Sequence, residues 1–365
     1  MIDLPRVHAA YQRELNEAID SVVKSGVYIG GAVVAEFQDR LSSYVKAPAF
    51  GVGNGTDALQ IALMSIGIGP GDEVIVPAFT YAASVEVIAL LGATAVWCDV
   101  DPNTFNISPQ SAKLALSAKT KAVIAVHLYG QLADLEALQS AVGAVPIIED
   151  TAQAFGAVFT SGKHKGKHAG TVGTMGTLSF FPTKPLGALG DGGAIIVGDR
   201  ELYNTAFSIA RHGQSQKYIH DIVGVNSRLD PIQAAALGTK LLHFESTLVR
   251  KQEIATLYQN ELSNIENIQL PEVVDYSSHV WHQFTLRVTE GNRDGLQSVL
   301  QTAGVSTMIY YPLALADQKA YKYMIERVPI KTSRLLCQQV LSLPIDPSMS
   351  DEEVRYICQS IKRYF

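Results

Sequence analysis

Along the first two thirds of the chain, short apolar runs alternate with longer stretches in which apolar residues return every three or four positions. The runs 49–52, 73–76, 93–98, 122–126, 146–149, 177–181 and 194–197 are brief and rich in Val, Ile and Ala, and they read as strands. The stretches 57–66, 82–91, 111–118 and 132–142 read as the helices between the earlier ones. Apolar strands alternating with helices predict a largely parallel sheet covered on both sides, an α/β fold. Two more helices, 7–24 and 33–45, come first, separated by Gly26 and Gly30-Gly31. Asp230-Pro231 then starts a helix, Asp as cap and Pro as first helical residue, that is expected to run beyond Phe244. From Glu245 the pattern changes to a strand at 281–288, a helix at 293–303 and a closing amphipathic helix at 351–361. The chain therefore reads as a large domain, 1–245, and a small C-terminal domain, 246–365.

Composition narrows the classes of function. A length of 365 residues suffices for two domains and a core able to bury a cofactor. With 29 Lys and Arg against 35 Asp and Glu, the net charge of −6 leaves no basic surplus for a nucleic-acid backbone or an anionic membrane. Cys98, Cys337 and Cys358 are widely spaced, which suggests reduced buried thiols rather than disulfides or zinc. The first residues lack the pattern of a signal peptide, and the apolar-leaning run 87–98 is far short of the roughly 20 residues that span a bilayer, so a cytoplasmic protein is expected. The segment Lys163-His164-Lys165-Gly166-Lys167-His168 invites a metal reading, but none is adopted.

Ligand sites of parallel sheets lie at the carboxyl ends of strands, and four such ends carry chemistry. Gly53-Asn54-Gly55-Thr56-Asp57 opens a helix, whose first amides with the Thr56 hydroxyl suit a phosphate, or it is a plain tight turn. Its glycine spacing departs from the dinucleotide-binding fingerprint, and no Walker A pattern occurs. Phe79 and Tyr81 bring aromatic rings that could stack on a heterocycle or belong to the core. Glu149-Asp150-Thr151-Ala152-Gln153 ends an apolar strand in two acids, suited to capping or ion pairing unless a cationic ligand group lies opposite. Ser179-Phe180-Phe181-Pro182-Thr183-Lys184-Pro185-Leu186-Gly187 holds a lysine that is either solvated or, desolvated among apolar residues, a nucleophilic amine. Together these ends supply the parts of a pyridoxal 5'-phosphate site: a lysine for the Schiff base, an acid for the pyridine nitrogen, an aromatic cover and a phosphate cradle.

These segments, with Gly69-Pro70-Gly71-Asp72-Glu73-Val74, Gly190-Asp191-Gly192-Gly193 and Gly224-Val225-Asn226-Ser227-Arg228-Leu229, resemble the DegT-type sugar-nucleotide aminotransferases, a branch of the fold-type-I pyridoxal phosphate enzymes. The resemblance implies an aspartate aminotransferase-like architecture, with Lys184 forming the Schiff base, Asp150 at the pyridine nitrogen, Gln153 by the ring hydroxyl and Tyr81 stacked on the ring. It further implies that Thr56, Asp57 and Ser179 hold the phosphate and that Asn226 reaches it from the second subunit of a homodimer. Ping-pong transamination from L-glutamate to a keto-sugar nucleotide follows, with Lys184 as anchor and as acid and base. Ala210-Arg211-His212-Gly213-Gln214 and the segment around Arg228 are most similar to enzymes aminating C3 of a UDP-linked 3-keto N-acetylglucosaminuronic acid, used for surface polysaccharide such as O-antigen. In that reading Arg228 grips the uronate carboxylate, and His212, Tyr310 and Tyr311 line the sugar site. Tyr310 stands where relatives often carry His, which bears on the substrate and not on the cofactor. The rivals are a dTDP-linked 3- or 4-keto-6-deoxy sugar aminotransferase and a non-catalytic sugar-nucleotide sensor.

Overall fold

The computed structural model describes residues 2–365. Its centre is a seven-stranded sheet of β1 (Ala49–Val52), β2 (Glu73–Pro77), β3 (Thr94–Cys98), β4 (Thr120–Val126), β5 (Ile147–Asp150), β6 (Met175–Ser179) and β7 (Gly193–Ile196). The spatial order is β1-β7-β6-β5-β4-β2-β3, and β7 alone runs against its neighbours β1 and β6. Side-chain alternation divides the apolar residues between two cores. Val74, Val76, Ile124 and Ile148 pack under the helices Gly55–Ser65 and Ala83–Leu90, while Ile75, Val123, Ala125 and Ile147 pack on the other face.

A third core lies between the C-terminal helices and a three-stranded antiparallel sheet, Ile268–Gln269, Phe284–Val288 and Val340–Leu343. The helices Phe244–Leu262 and Asp351–Lys362 pack there, the second opened by a capping box of Ser350 and Glu353. The chain then crosses back between these strands. Ala314, Leu315, Ile330 and Leu336 join the main core, and Ile325 bonds to Ala95 and Trp97, covering the exposed edge of β3.

Several boundaries differ from the sequence expectation: the helix expected over 132–142 starts at Leu135 and the strand expected over 281–288 starts at Phe284, and three further differences bear on the site. The helix expected over 7–24 divides into Leu4–His8, a 3-10 turn Ala9–Tyr11 and Gln12–Ser25, and Tyr11 stacks on His243. The helix expected to run beyond Phe244 breaks at His243 into Pro231–Leu242 and Phe244–Leu262; Pro231 starts the first of these, and Asp230 makes no side-chain cap bond. The sixth strand begins at Met175, which pairs with Ile148, and ends at Ser179, before the loop that carries the lysine. Cys98, Cys337 and Cys358 are all buried free thiols. His164 and His168 pack separately against Phe159 and Tyr44. Among the described residues no helix is long and apolar enough to cross a membrane.

Candidate active site

A cavity of about 950 Å³ opens at the carboxyl ends of the central strands, where they meet the C-terminal part of the chain. Of the residues singled out from sequence, Thr56, Asp57, Tyr81, Asp150, Gln153, Ser179, Lys184, Tyr310 and Tyr311 all line it. Asn226, Arg228 and His212 do not line it within one chain; Asn226 and His212 are exposed and Arg228 is half-buried. Phe79 is core, in edge contact with Tyr311, whereas Tyr81 stands 59% exposed at the cavity mouth.

The start of the helix Gly55–Ser65 lines the cavity and offers amides that could hold a phosphate. Asn54 caps it by accepting from the amide of Asp57 at 2.8 Å, which leaves the amides of Gly55 and Thr56 as the free donors of the first turn. A Cβ on Gly55 would lie 2.6 Å from that of Ser179, so only glycine lets the helix start close on the end of β6. The Asp57 carboxylate accepts instead from Ser227 Oγ at 2.6 Å, and Ser227 Oγ in turn accepts from the amide of Gly53, tying the turn to the segment that carries Asn226 and Arg228.

Lys184 sits in a tight loop after β6. Its amide donates to the Phe181 carbonyl at 2.8 Å, and a Cβ on Gly187 would meet the Pro182 carbonyl oxygen at 2.2 Å. The helix Pro231–Leu242 holds this loop from behind: the buried Lys240 ammonium donates to the Gly187 carbonyl at 2.7 Å, and Gln233 accepts from the Leu189 amide at 2.8 Å. Burial pulls the Lys184 amine down to about 8, against the opposing pull of Asp150.

Asp150 ends β5 on the cavity face and accepts from Ser84 Oγ at 2.9 Å and from the Ala152 amide at 3.2 Å. Gln153 accepts from the Tyr129 amide at 2.7 Å and donates to Tyr311 Oη at 3.2 Å, while Tyr129 Oη donates to the Tyr310 carbonyl. Burial raises the Tyr311 phenol well above its ordinary value, so it remains a neutral donor.

Ser84, Lys251, His282 and Gln283 were not apparent from sequence. Ser84 is a lone hydroxyl in the apolar helix Ala83–Leu90, and its burial was its only signal. His282 and Gln283 are polar residues just ahead of the apolar strand Phe284–Val288, and Lys251 lies within the helix Phe244–Leu262.

A nucleophilic amine, a facing carboxylate, free helix-start amides and an aromatic mouth fit a flat, phosphorylated aromatic aldehyde. With this sheet, they define a fold-type-I pyridoxal phosphate aminotransferase. The chain belongs to the DegT/DnrJ/EryC1/StrS aminotransferase family, whose model matches residues 10–362. It is 42% identical over 363 residues to the UDP-2-acetamido-2-deoxy-3-oxo-D-glucuronate aminotransferase of Pseudomonas aeruginosa, covering 99% of this chain and 98% of that one. It is 40% identical to a pleiotropic regulatory protein of Geobacillus stearothermophilus, and 41% identical to the dTDP-3-amino-3,6-dideoxy-alpha-D-galactopyranose transaminase of Aneurinibacillus thermoaerophilus, each covering 100% of this chain and 98% of the relative. Among solved structures, a DegT DnrJ EryC1 StrS aminotransferase from Brucella abortus superimposes with a TM-score of 0.94 at 37% identity, covering 100% of this chain and 98% of that chain.

Proposed function

We propose that this aminotransferase, a catalyst for nucleotide-linked keto-sugars, moves the amino group of L-glutamate to C3 of UDP-2-acetamido-2-deoxy-3-oxo-D-glucuronate. The product is a precursor of a diacetamido uronic acid for surface polysaccharide. The observation that carries the chemistry is Lys184, a desolvated amine held by a braced loop opposite Asp150. For the sugar, the support is the likeness to the Pseudomonas aeruginosa enzyme over nearly the whole chain.

Bound pyridoxal phosphate supplies a carbonyl that takes up the amino group and a ring that draws electrons from the donor's Cα. Lys184 Nζ would hold that carbonyl and would serve as the base and acid that moves a proton at the donor Cα. With its amine near 8 rather than its ordinary 10.5, a useful fraction is unprotonated at mildly alkaline pH. Asp150, its carboxylate fixed by Ser84, would keep the ring nitrogen protonated. Tyr81 would cover the ring and Gln153 would lie by its hydroxyl, while the free amides of Gly55 and Thr56 with Ser179 would hold the phosphate at the helix start that Asp57 ties to Ser227.

The working unit in this reading is a homodimer. Val27, Tyr28 and Ile29, and Tyr218, Ile219 and Val223, are exposed apolar side chains of the kind a second copy covers. Asn226, Arg228 and His212 then serve the neighbouring site, Asn226 at the phosphate and Arg228 at the uronate carboxylate. Tyr310 and Tyr311 contact the sugar.

The test follows the visible absorbance of the purified holoenzyme with L-glutamate, then turnover on the UDP-linked 3-keto uronate and on a dTDP-linked 3-keto-6-deoxy sugar. Bleaching followed by faster turnover of the uronate is expected. Preference for the dTDP sugar, which the Aneurinibacillus relative favours as a second reading, overturns the sugar assignment. An Arg228→Ala variant with undiminished activity on the uronate would remove Arg228 from the site.

A further inference from the structure

The cavity continues past Lys184 toward the C-terminal part of the chain, where Lys251, His282 and Gln283 line it beside Leu343 and Ile345. Lys251 is only 3% exposed, and its ammonium makes a single long bond, 3.4 Å to the Trp281 carbonyl. Among the described residues no carboxylate lies within ion-pair distance of it. Asp346, whose charge reaches Lys251, accepts instead from the Asp3 amide and from the Ser348 amide and hydroxyl. The buried Nδ1 of His282, a residue that the Lys251 charge reaches, has no hydrogen-bond partner. A buried cation beside an unpaired ring nitrogen is unfavourable unless a ligand completes it.

We propose that Lys251, with His282 beside it, is a binding site for a carboxylate of the acid that reacts at Lys184. This rests on the aminotransferase reading and not on the identity of the sugar. The carboxylate belongs either to the amino donor and its 2-oxo acid or to a uronate sugar, and both would bring an anion to the same ammonium. Burial also draws the Lys251 amine down to about 8, with Asp346 opposing, as befits a cation awaiting a partner.

The experiment uses the holoenzyme and its Lys251→Met, Lys251→Gln and Lys251→Arg variants. Calorimetry would give dissociation constants for 2-oxoglutarate, for UDP-N-acetylglucosaminuronate and for UDP-N-acetylglucosamine, which keeps the diphosphate but lacks the uronate carboxylate. Bleaching by L-glutamate would give the concentration dependence and the limiting rate of the first half-reaction. The Met and Gln variants are expected to bind one acid about tenfold or more weakly, with Arg recovering most of the loss and the binding of UDP-N-acetylglucosamine unchanged. Weaker 2-oxoglutarate, with a matching rise in the glutamate requirement, assigns the donor; weaker uronate assigns the sugar. Lys251→Gln keeps a polar group and decides the matter if Lys251→Met folds poorly. Unchanged binding of both acids, in variants with wild-type absorbance and melting temperature, overturns the proposal. A wild type that glutamate does not bleach counts against glutamate as donor, and the binding constants still decide the role of Lys251.

Discussion

Glu149 and Asp150 are consecutive acids at the end of one strand, and the structure gives them opposite duties. Glu149 points to the far face of the sheet, where it is fully buried and fully engaged: His127 Nε2 lies 2.9 Å away, and the amides of Gly170, Val172 and Gly173 donate to it at 2.8, 2.8 and 2.5 Å. Asp150 points into the cavity with two donors, Ser84 Oγ and the Ala152 amide, and the rest of its capacity faces the ligand space. An acid saturated by its own protein holds a fold together, and one left partly unsatisfied has a partner still to come.

The sharpest break between the two faces is expected at Lys184. In Lys184→Ala, bleaching by glutamate disappears and turnover falls by at least about 10⁴-fold, while the melting temperature holds; detectable bleaching in this variant would refute its role. Next, Asp150→Asn is expected to lower turnover by about 10²-fold or more with little change in stability, measured by steady-state kinetics and thermal denaturation side by side. Glu149→Gln should do the reverse, costing about 3 kcal/mol of stability by leaving His127 and the three amides poorly matched, as denaturant titration would show. Equal effects on rate and stability at both acids would erase the distinction.

The pH dependence of stability should follow the same division. Burial alone would raise the Glu149 carboxyl, but the His127 hydrogen bond and charge and the amides of Gly173 and Gly170 outweigh it and hold it below its ordinary 4.5. Its contribution is therefore complete above the unfolded value near 4.5 and is lost as pH falls through the lower folded value. Glu149→Gln should flatten that acid limb in a series of melts. Lys184 has the opposite sign. Its folded value of about 8 lies below its ordinary 10.5, so without cofactor it weighs against folding below pH 8, and the penalty fades as pH rises toward 10.5. Cofactor-free Lys184→Met should thus melt a few degrees higher than wild type at neutral pH, with a gap that closes in alkali. The smallest expected effect is that of Ser84→Ala, a loss of one bond to the Asp150 carboxylate worth about 1 kcal/mol, or a roughly fivefold fall in kcat with KM nearly unchanged.

Local pattern determined a good deal of this protein. The seven strands, their largely parallel arrangement and the strand ends holding Thr56, Tyr81, Asp150, Gln153, Ser179 and Lys184 follow from periodicity and from the rule that such sheets bind ligands at their carboxyl edge. Alternation along β5 even requires Glu149 and Asp150 to face opposite ways, because successive side chains of a strand point to opposite sides.

Only the tertiary structure decided which face held the cavity and what closed it. Helix 83–90 brings Ser84 to Asp150 across 66 positions, and Lys240 braces the Gly187 carbonyl across 53. Lys251 and His282 enter from the C-terminal half, where nothing in their neighbours' polarity distinguishes them from solvated surface residues. The break at His243 and the return of residues 314–337 to the main core likewise depend on packing against distant elements. The reason is physical: secondary structure answers to short-range periodicity and backbone sterics, whereas burial of a polar group depends on which distant surfaces close over it.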